Sequence, residues 1–277
     1  MALMRIDFIS QSLMRTVTVN AVIPTDKIIP GQEPKRGKKF KALFLLHGIF
    51  GNYTDWVTKT RIQTWAEDMD LAVIMPSGEN KFYIDNPKTG DLFGKFVGEE
   101  LVEFCRRTLP ISDKREDTFI GGLSMGGYGA LRNGLKYNET FGSIVALSSG
   151  LLKNEILNSQ YKEDGSIIGN RHYYEGIMGR PAEEFAGSDM DYEALVENLV
   201  REKKTIPDIY LACGTEDGLY PANLQFHQFL EEKGVKHTYV EGPGVHDWVF
   251  WDTYIRKAMD WLPLTAETKG ISSGHVQ

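Results

Sequence analysis

The glycine-rich stretch GGLSMGGYGALRNG, residues 121–134, contains the side chain best suited to nucleophilic chemistry in this chain, the hydroxyl of Ser124. Ser124 lies between Gly122 and Gly126 in a G-x-S-x-G pattern, with the strand-like run DTFIGG before it and a helix-like run after it. Such a strand-turn-helix setting exposes a serine on a strained turn, and the flanking glycines remove side chains that would collide there. The pattern predicts a nucleophile elbow at Ser124. The alternative is that the glycines serve only the close packing of a helix on a strand.

A serine hydroxyl becomes a nucleophile when a base accepts its proton and a carboxylate orients that base. Two later residues supply these groups in the order serine, carboxylate, histidine. Asp217, in LACGTEDGLYP, directly follows a strand-like run, and His246, in VEGPGVHDWVFW, lies on a glycine-containing loop after another such run. We therefore predict a triad of Ser124, Asp217 and His246, with Glu216 as a second candidate for the acid.

The tetrahedral intermediate of acyl transfer carries an oxyanion that needs hydrogen-bond donors. One donor is the backbone N–H of the residue after the nucleophile, here Met125, and another comes from a loop at the end of an earlier strand. The segment LLHGIFGNYTDW is such a loop. The N–H of Ile49 is the predicted second donor, with Phe50 as the alternative, and His47 is predicted to brace the loop without taking part in the reaction.

The elements that must position these residues alternate along the chain. Residues Arg5 to Ser10 and Thr16 to Ile23 repeat their apolar side chains with a period of two, which predicts a pair of antiparallel strands. From residue 40 onward, short apolar runs alternate with helix-like stretches, the pattern of β-α-β units. The predicted fold class is α/β, with a mostly parallel central sheet and helices on both faces.

One segment, from about residue 151 to residue 204, interrupts this alternation because it is long, acidic and poor in strand-like runs. It is predicted to be an insertion that forms a lid over the sheet. Residues 266–277 are small and polar, and a disordered tail is expected there. Residues 1–265 are predicted to form a single domain that includes the insertion.

The composition restricts the classes of partner. With 277 residues and a net charge of -7, the chain is expected to fold as a globular protein without the basic surface that nucleic acid or an anionic membrane requires. Arg5, Asp7 and Arg15 interrupt the first residues before an apolar run of signal-peptide length, so a cytoplasmic location is expected. Cys105 and Cys213 are expected to be buried free thiols, and no sequence motif indicates a metal or a cofactor.

Four motifs together are similar to those of a known family. HGIFGNYTDW, GGLSMGGYGA, GTEDGLY and GPGVHDWVFW, in this order and at these separations, resemble the esterase D group of α/β hydrolases, which includes tributyrin, feruloyl (cinnamoyl) and acetylxylan esterases. The resemblance extends over about residues 4–264. It implies the α/β-hydrolase fold, the triad and oxyanion hole described above, and hydrolysis of a carboxylic ester through an acyl-enzyme.

Aromatic residues are concentrated in the motif loops and are candidates for contact with the substrate. Phe50, Trp56 and Trp248 are the predicted substrate-binding residues. The resemblance implies a small-molecule ester with a short acyl group or a cinnamoyl or feruloyl group, and the ester of a feruloylated or acetylated sugar is among the candidates. A homo-oligomer would be compatible with the sequence.

Three alternatives to a carboxylesterase stay open at this stage. An acyltransferase would use the same triad, and a non-catalytic binding protein on the same scaffold would be expected to lack a triad member. The third is a thioesterase similar to the S-formylglutathione hydrolases. These usually carry a cysteine-bearing segment where this chain has HGIFGN, so a glutathione thioester is the alternative and not the prediction.

Overall fold

The computed structural model of the protein describes residues 1–31, 37–164, 166, 168–265 and 270–271. These residues form an eight-stranded sheet and a separate two-stranded ribbon, β5 with β6. The strands are β1 (Ala2–Ser10), β2 (Arg15–Ile23), β3 (Lys41–Leu46), β4 (Leu71–Pro76), β5 (Asp85–Asn86), β6 (Asp91–Leu92), β7 (Thr118–Leu123), β8 (Ser143–Leu147), β9 (Asp208–Gly214) and β10 (Thr238–Gly242). The helices are α1 (Asp55–Lys59), α2 (Ile62–Asp68), α3 (Phe93–Lys95), α4 (Leu101–Thr108), α5 (Met125–Lys136), α6 (Lys153–Leu157), α7 (Arg171–Met178), α8 (Tyr192–Glu202), α9 (Tyr220–Glu232) and α10 (Trp248–Trp261), with 3₁₀ turns at Arg115–Asp117 and Ala182–Phe185.

The sheet has the strand order β1-β2-β4-β3-β7-β8-β9-β10. The pairs β1 with β2 and β2 with β4 are antiparallel, and every other neighbouring pair is parallel. The predicted antiparallel pair and the mostly parallel sheet are both confirmed. Because β7, β8, β9 and β10 run in the same direction, the loops that follow them meet at one edge of the sheet.

Both faces of the sheet are covered by helices, as predicted. Ala42, Phe44 and Leu46 of β3 join a core that also contains apolar residues of α4, α5, α8 and α9. The alternate residues Leu43 and Leu45 join a second core with residues of α1, α2 and α10. Strands buried on both faces have few polar side chains, which explains the apolar runs that predicted them.

The stretch GKFVGEELVEFCRRTLP has apolar residues at helical spacing and is helical in the structure, but its first part is wider than an α-helix. Residues Phe96–Glu100 form a π-helical segment between α3 and α4. Gly98 of this segment lies against Tyr137, where a Cβ atom would be 2.2 Å from the ring. The absence of a side chain at Gly98 therefore lets the widened turn pack closely, which a pattern of apolar residues does not reveal.

The segment predicted to be a lid lies between β8 and β9 and contains α6, α7, a 3₁₀ turn and α8. Its last helix, α8, packs against α5. Arg132 of α5 is fully buried and binds the segment, since its Nε and Nη2 donate to the backbone oxygen and Oδ2 of Asp189 at 2.9 and 2.6 Å. The single-domain organisation stays a prediction.

Three further expectations concern the cysteines, the C-terminal tail and membrane-spanning helices. Cys105 and Cys213 are buried free thiols, and burial raises the pKa of each to about 12. Most of the predicted disordered tail lies outside the described residues, but Ile271 forms an isolated bridge with Ile28. Within the described ranges, no helix is both long and apolar enough to cross a membrane.

Candidate active site

Ser124 occupies the sharp turn between β7 and α5. Its backbone has φ 53° and ψ −119°, which is a strained conformation for a residue with a side chain. A Cβ on Gly122 would lie 2.4 Å from the oxygen of Gly126, and a Cβ on Gly126 would lie 2.5 Å from the oxygen of Leu46. The predicted strand-turn-helix is present, and its glycines permit both the turn and the close packing of α5.

The structure brings Ser124 together with the two other predicted triad residues. His246 Nε2 lies 2.9 Å from Ser124 Oγ, and His246 Nδ1 lies 2.8 Å from Asp217 Oδ2. With a proton on Nδ1, the imidazole donates to Asp217 and its Nε2 accepts from the serine hydroxyl. The Asp217 carboxylate is buried, whereas the His246 side chain is 35% exposed.

Asp217 is held as a carboxylate inside the protein. Burial disfavours its charged form, but hydrogen bonds from His246 and from the Leu219 N–H, at 2.8 Å, keep its pKa below the ordinary value. Asn223 of α9 fixes the same loop, because its Nδ2 donates to the oxygens of Leu219 and Ser149 at 2.9 and 3.0 Å. Sequence reasoning missed Asn223, whose only local signal is an amide one turn into a helix.

Glu216, the second candidate for the acid, points away from the imidazole. Its carboxylate accepts the N–H of Gly244 at 2.6 Å, and its own N–H donates to the Gly244 oxygen at 3.1 Å. Glu216 therefore supports the backbone of the loop that carries His246. The ring of Trp251 packs perpendicular to the imidazole, with centroids 4.8 Å apart.

The loop after β3 lies beside the elbow, since a Cβ on Gly48 would be 3.4 Å from the Ser124 Cβ. The N–H of Phe50 donates to Asn80 Oδ1 at 2.8 Å. The N–H groups of Ile49 and Met125 have no acceptor within the part of the chain that the structure describes. Of the two amides considered for this loop, only that of Ile49 is thus free to bind a ligand.

Comparison with known proteins finds an esterase family. The family model Esterase matches residues 10–262. The acetyl esterase of Caldicellulosiruptor saccharolyticus is 44% identical over 265 residues, which cover 95% of this chain and 98% of that protein. The chain belongs to the Esterase family. It is a serine esterase, a carboxylic ester hydrolase, which excludes the non-catalytic binding protein considered above.

Solved structures similar to this esterase include two with related activities. The S-formylglutathione hydrolase FrmB of Staphylococcus aureus has a TM-score of 0.80 and 28% identity, covering 94% of this chain and 98% of that one. The CE1 ferulic acid esterase of Anaeromyces mucronatus has a TM-score of 0.60 and 16% identity, covering 92% and 89% of the two chains, a likeness that shows only the fold. The predicted α/β-hydrolase fold and the predicted resemblance to this group of esterases are confirmed.

His47 braces the loop after β3, which carries Ile49. It is buried, its Nε2 accepts the Gly78 N–H at 2.8 Å, and its Nδ1 donates to the Gly48 oxygen at 2.6 Å. Burial lowers the pKa of His47, so the imidazole is neutral in this position. This geometry agrees with the predicted bracing role.

Sequence reasoning missed a second support of this loop, the segment 77–83. Ser77 Oγ accepts the Tyr53 N–H at 3.1 Å, and the Tyr83 hydroxyl donates to the His47 oxygen at 3.0 Å. Three non-glycine residues of the segment, at positions 79, 82 and 83, have positive φ angles. The segment is therefore a strained structure held against the loop that carries Ile49.

The prediction that Trp56 binds substrate is wrong, because Trp56 is only 1% exposed. Its indole N–H donates to the Leu46 oxygen at 3.0 Å, and its ring packs against Trp248. Trp248 in turn packs perpendicular to Trp251, which contacts His246. Trp56 thus lies at the buried end of an aromatic row that supports the imidazole.

The two other predicted substrate-binding residues are accessible to different extents. Phe50 is 71% exposed and has φ 65°, whereas Trp248 is partly buried at the start of α10. Substrate contact by Phe50 and Trp248 stays a prediction.

An apolar seam, defined here as the space between α5, the segment 82–84 and the lid, begins beside the elbow at Gly150. The Gly150 N–H donates to the Ser124 oxygen at 2.8 Å. The enclosed volume is about 10 Å³, roughly what one water molecule needs. The seam is lined by Phe82, Ile84, Tyr128, Leu152, Ile156, Tyr174, Ile177, Met178 and Phe185 in addition to Gly150.

The two adjacent acids allow a matched test of the triad. We expect Asp217→Asn to lower kcat by a factor on the order of 10⁴, because the amide cannot hold the required tautomer of His246. Glu216→Gln keeps a side-chain oxygen for Gly244 and is expected to retain most of the activity. Steady-state hydrolysis of a p-nitrophenyl ester measures both, and a larger loss in Glu216→Gln would reassign the acid.

The support of the oxyanion loop can be tested with two buried hydroxyls. Tyr83→Phe removes the bond to the His47 oxygen, and Tyr128→Phe removes an equivalent bond to the Met190 oxygen at 2.8 Å. Each is expected to lower the free energy of unfolding by about 1 kcal/mol. We expect kcat to fall roughly tenfold in Tyr83→Phe alone, because small displacements of catalytic groups are costly. Equal kcat values in the two variants would contradict a positioning role for Tyr83.

Proposed function

We propose that this serine esterase uses Ser124 as the nucleophile, His246 as the general base and Asp217 as the group that orients the histidine. The observation that carries the proposal is the continuous chain of hydrogen bonds, at 2.9 and 2.8 Å, from the Ser124 hydroxyl through the imidazole to a buried carboxylate. The turn on which Ser124 lies, with φ 53°, supports the same role, because a sharp strand-to-helix turn of this kind exposes the serine hydroxyl.

The proposed reaction proceeds through an acyl-enzyme. His246 Nε2 accepts the Ser124 proton as Oγ attacks the ester carbonyl, and the imidazolium returns that proton to the leaving alcohol. A water molecule then attacks the acyl-enzyme, gives its proton to His246 and releases the acid, and Ser124 regains its hydrogen. Asp217 remains ionised throughout and stabilises the imidazolium.

The proposed oxyanion hole consists of the N–H groups of Ile49 and Met125. Both amides lack an acceptor among the described residues, whereas the N–H of Phe50 is engaged by Asn80. Met125 also begins α5, so its N–H belongs to the positive end of the helix dipole. These features support Ile49 over Phe50 as the second donor.

A short acyl group, acetyl above all, is the proposed acid part of the substrate. The apolar seam beside Ser124 encloses about 10 Å³ and is therefore too small, in this conformation, to admit a long chain or a feruloyl ring. The acetyl esterase that is 44% identical to this chain supports the same choice. The alcohol part, for which an acetylated sugar is a candidate, and a cytoplasmic location stay predictions.

A thioesterase activity is the second candidate function. The observation that favours it is the likeness to the S-formylglutathione hydrolase of Staphylococcus aureus, with 28% identity and a TM-score of 0.80. A formyl group is smaller than an acetyl group, so the proposal of a short acyl group applies to it as well. A thioester reacts through the same tetrahedral intermediate, and the proposed triad would serve either substrate.

A matched panel of substrates tests the proposal. We expect p-nitrophenyl acetate to be hydrolysed faster than the butyrate, and the octanoate and methyl ferulate more slowly still. Ser124→Ala is expected to lose turnover by a factor on the order of 10⁴ or more. Comparable turnover of Ser124→Ala and wild type would reject Ser124 as the nucleophile. A higher rate with the octanoate or methyl ferulate than with the acetate would reject the short acyl group. Faster turnover of S-formylglutathione than of the esters would favour the thioesterase.

Partition of the acyl-enzyme separates hydrolysis from transfer. Since the His246 side chain is 35% exposed, we expect water to reach the acyl-enzyme and hydrolysis to dominate. The measurement is the ratio of transesterified product to free acid when methanol or glycerol is added during turnover of p-nitrophenyl acetate. Capture by dilute alcohol that exceeded hydrolysis would identify an acyltransferase.

A further inference from the structure

Strand β1 lies at an edge of the eight-stranded sheet, far from β9 and β10 in the strand order. It pairs with β2 on one side, and no described strand pairs with its other side. An unpaired edge presents backbone N–H and C=O groups to which a further strand can bind. Two aliphatic side chains of this edge are also exposed, Leu3 at 45% and Ile9 at 77%.

The sequence of β1 is self-complementary about Ile6. Moving outward from Ile6 in LMRIDFI, the positions pair as Arg5 with Asp7, Met4 with Phe8, and Leu3 with Ile9. When two copies of a strand pair antiparallel about a two-fold axis, the residues related by the centre lie directly opposite one another. Each residue from Leu3 to Ile9 would then face one of similar size and polarity or of opposite charge.

We propose that β1 is a homodimer interface, in which β1 of a second copy pairs with it antiparallel about a two-fold axis at Ile6. Arg5 lies opposite Asp7 of the second copy, and Leu3 lies opposite Ile9 of the second copy. Because strand side chains alternate between faces, these residues share the exposed face of the sheet. The paired edges form one continuous sheet across the dimer.

The charges of Arg5 and Asp7 favour this register over the registers shifted by two residues. A shift of two residues in one direction places Arg5 opposite Arg5 of the second copy, and a shift in the other direction places Asp7 opposite Asp7. Like charges directly opposite one another are destabilising. Within the chain, Arg5 Nε and Asp7 Oδ2 are 3.5 Å apart, a weak surface pair. Arg5 also lies over the ring of Tyr53, and Asp7 also accepts from the Thr18 hydroxyl. Both charged side chains remain exposed, at 63% and 47%, and can face a partner.

The opposite face of β1 adjoins a groove that the second copy can also contact. Phe8 stacks on Phe104 of α4 with centroids 3.8 Å apart, and a groove of about 310 Å³ lies beside them. The proposed register brings Met4 of the second copy opposite Phe8, at this groove. Met4 is itself exposed, and its flexible thioether can pack on the Phe8 and Phe104 rings. The rest of the groove is lined mainly by polar and charged side chains, those of Gln11, Glu100, Glu103 and Arg107.

Charge reversal tests the interface. We expect sedimentation velocity to show a dimer for the wild type, and a dimer dissociation constant at least about tenfold higher for Arg5→Asp and for Asp7→Arg, because each variant places like charges opposite each other. The double variant Arg5→Asp/Asp7→Arg restores opposite charges and is expected to restore the dimer. Unchanged Tm and esterase activity in all variants would control for folding.

Cysteine cross-linking tests the register directly. Leu3→Cys and Ile9→Cys, purified separately and then mixed under mild oxidation, are expected to form a disulfide-linked heterodimer. Neither variant is expected to form a disulfide-linked dimer alone. In a dimer of one variant, the introduced cysteines of the two copies would be about 20 Å apart at roughly 3.4 Å per residue, beyond the reach of a disulfide. The native cysteines are buried. A monomeric wild type, a dimer insensitive to both single charge reversals, or the absence of the mixed cross-link would overturn the proposal.

Discussion

Backbone contact between the first turn of α5 and the end of β3 is the constraint on which the rest of the site depends. Cβ atoms on Gly122 and Gly126 would lie 2.9 and 2.5 Å from the Leu46 oxygen, so no larger residue fits at either position. This contact forces Ser124 into a conformation that costs about 1–3 kcal/mol. Burial of residues along almost the whole of α5 offsets that cost, and the strain therefore persists in the folded esterase.

The remaining groups reach Ser124 because of the strand order. Asp217 follows β9 and His246 follows β10, and these strands lie beyond β8 in the same direction. The proposed base therefore comes from the edge strand, where the sheet gives least support. The bonds between Glu216 and Gly244 and the ring of Trp251 provide that support, which explains how an exposed loop can hold an imidazole 2.9 Å from the serine hydroxyl.

The features predicted well from the sequence are those with a local cause. The elbow requires glycines at fixed distances from Ser124, and a strand buried on both faces requires an apolar run, so both leave a pattern in the chain. Glu216 and Asp217 are adjacent acids on one loop, and only the fold determines that one points to His246 and the other to Gly244. The burial of Trp56 is likewise a property of the assembled core.

The segment 77–83 could not be found in the same way, because its contacts are distant in sequence. Gly78, Asn80 and Tyr83 bind residues 31, 30 and 36 positions earlier in the chain. Such pairings follow from β3 and β4 being neighbours in the sheet, and the residues themselves have no motif. Recognition of the proposed nucleophile and base from sequence is therefore easier than recognition of what holds the proposed oxyanion hole.

The same segment connects helix α7 with the site. The hydroxyl of Tyr173, in α7, donates to the Asn80 oxygen at 2.7 Å, and Asn80 Oδ1 accepts the N–H of Phe50. A movement of α7 that widened the apolar seam would therefore act on the residue that holds Phe50, next to Ile49. The apolar seam and the loop that carries Ile49 are thus coupled through Asn80. If the seam holds the acyl group as proposed, enlarging the seam requires either a new partner for Asn80 or side-chain changes within the seam that leave α7 in place.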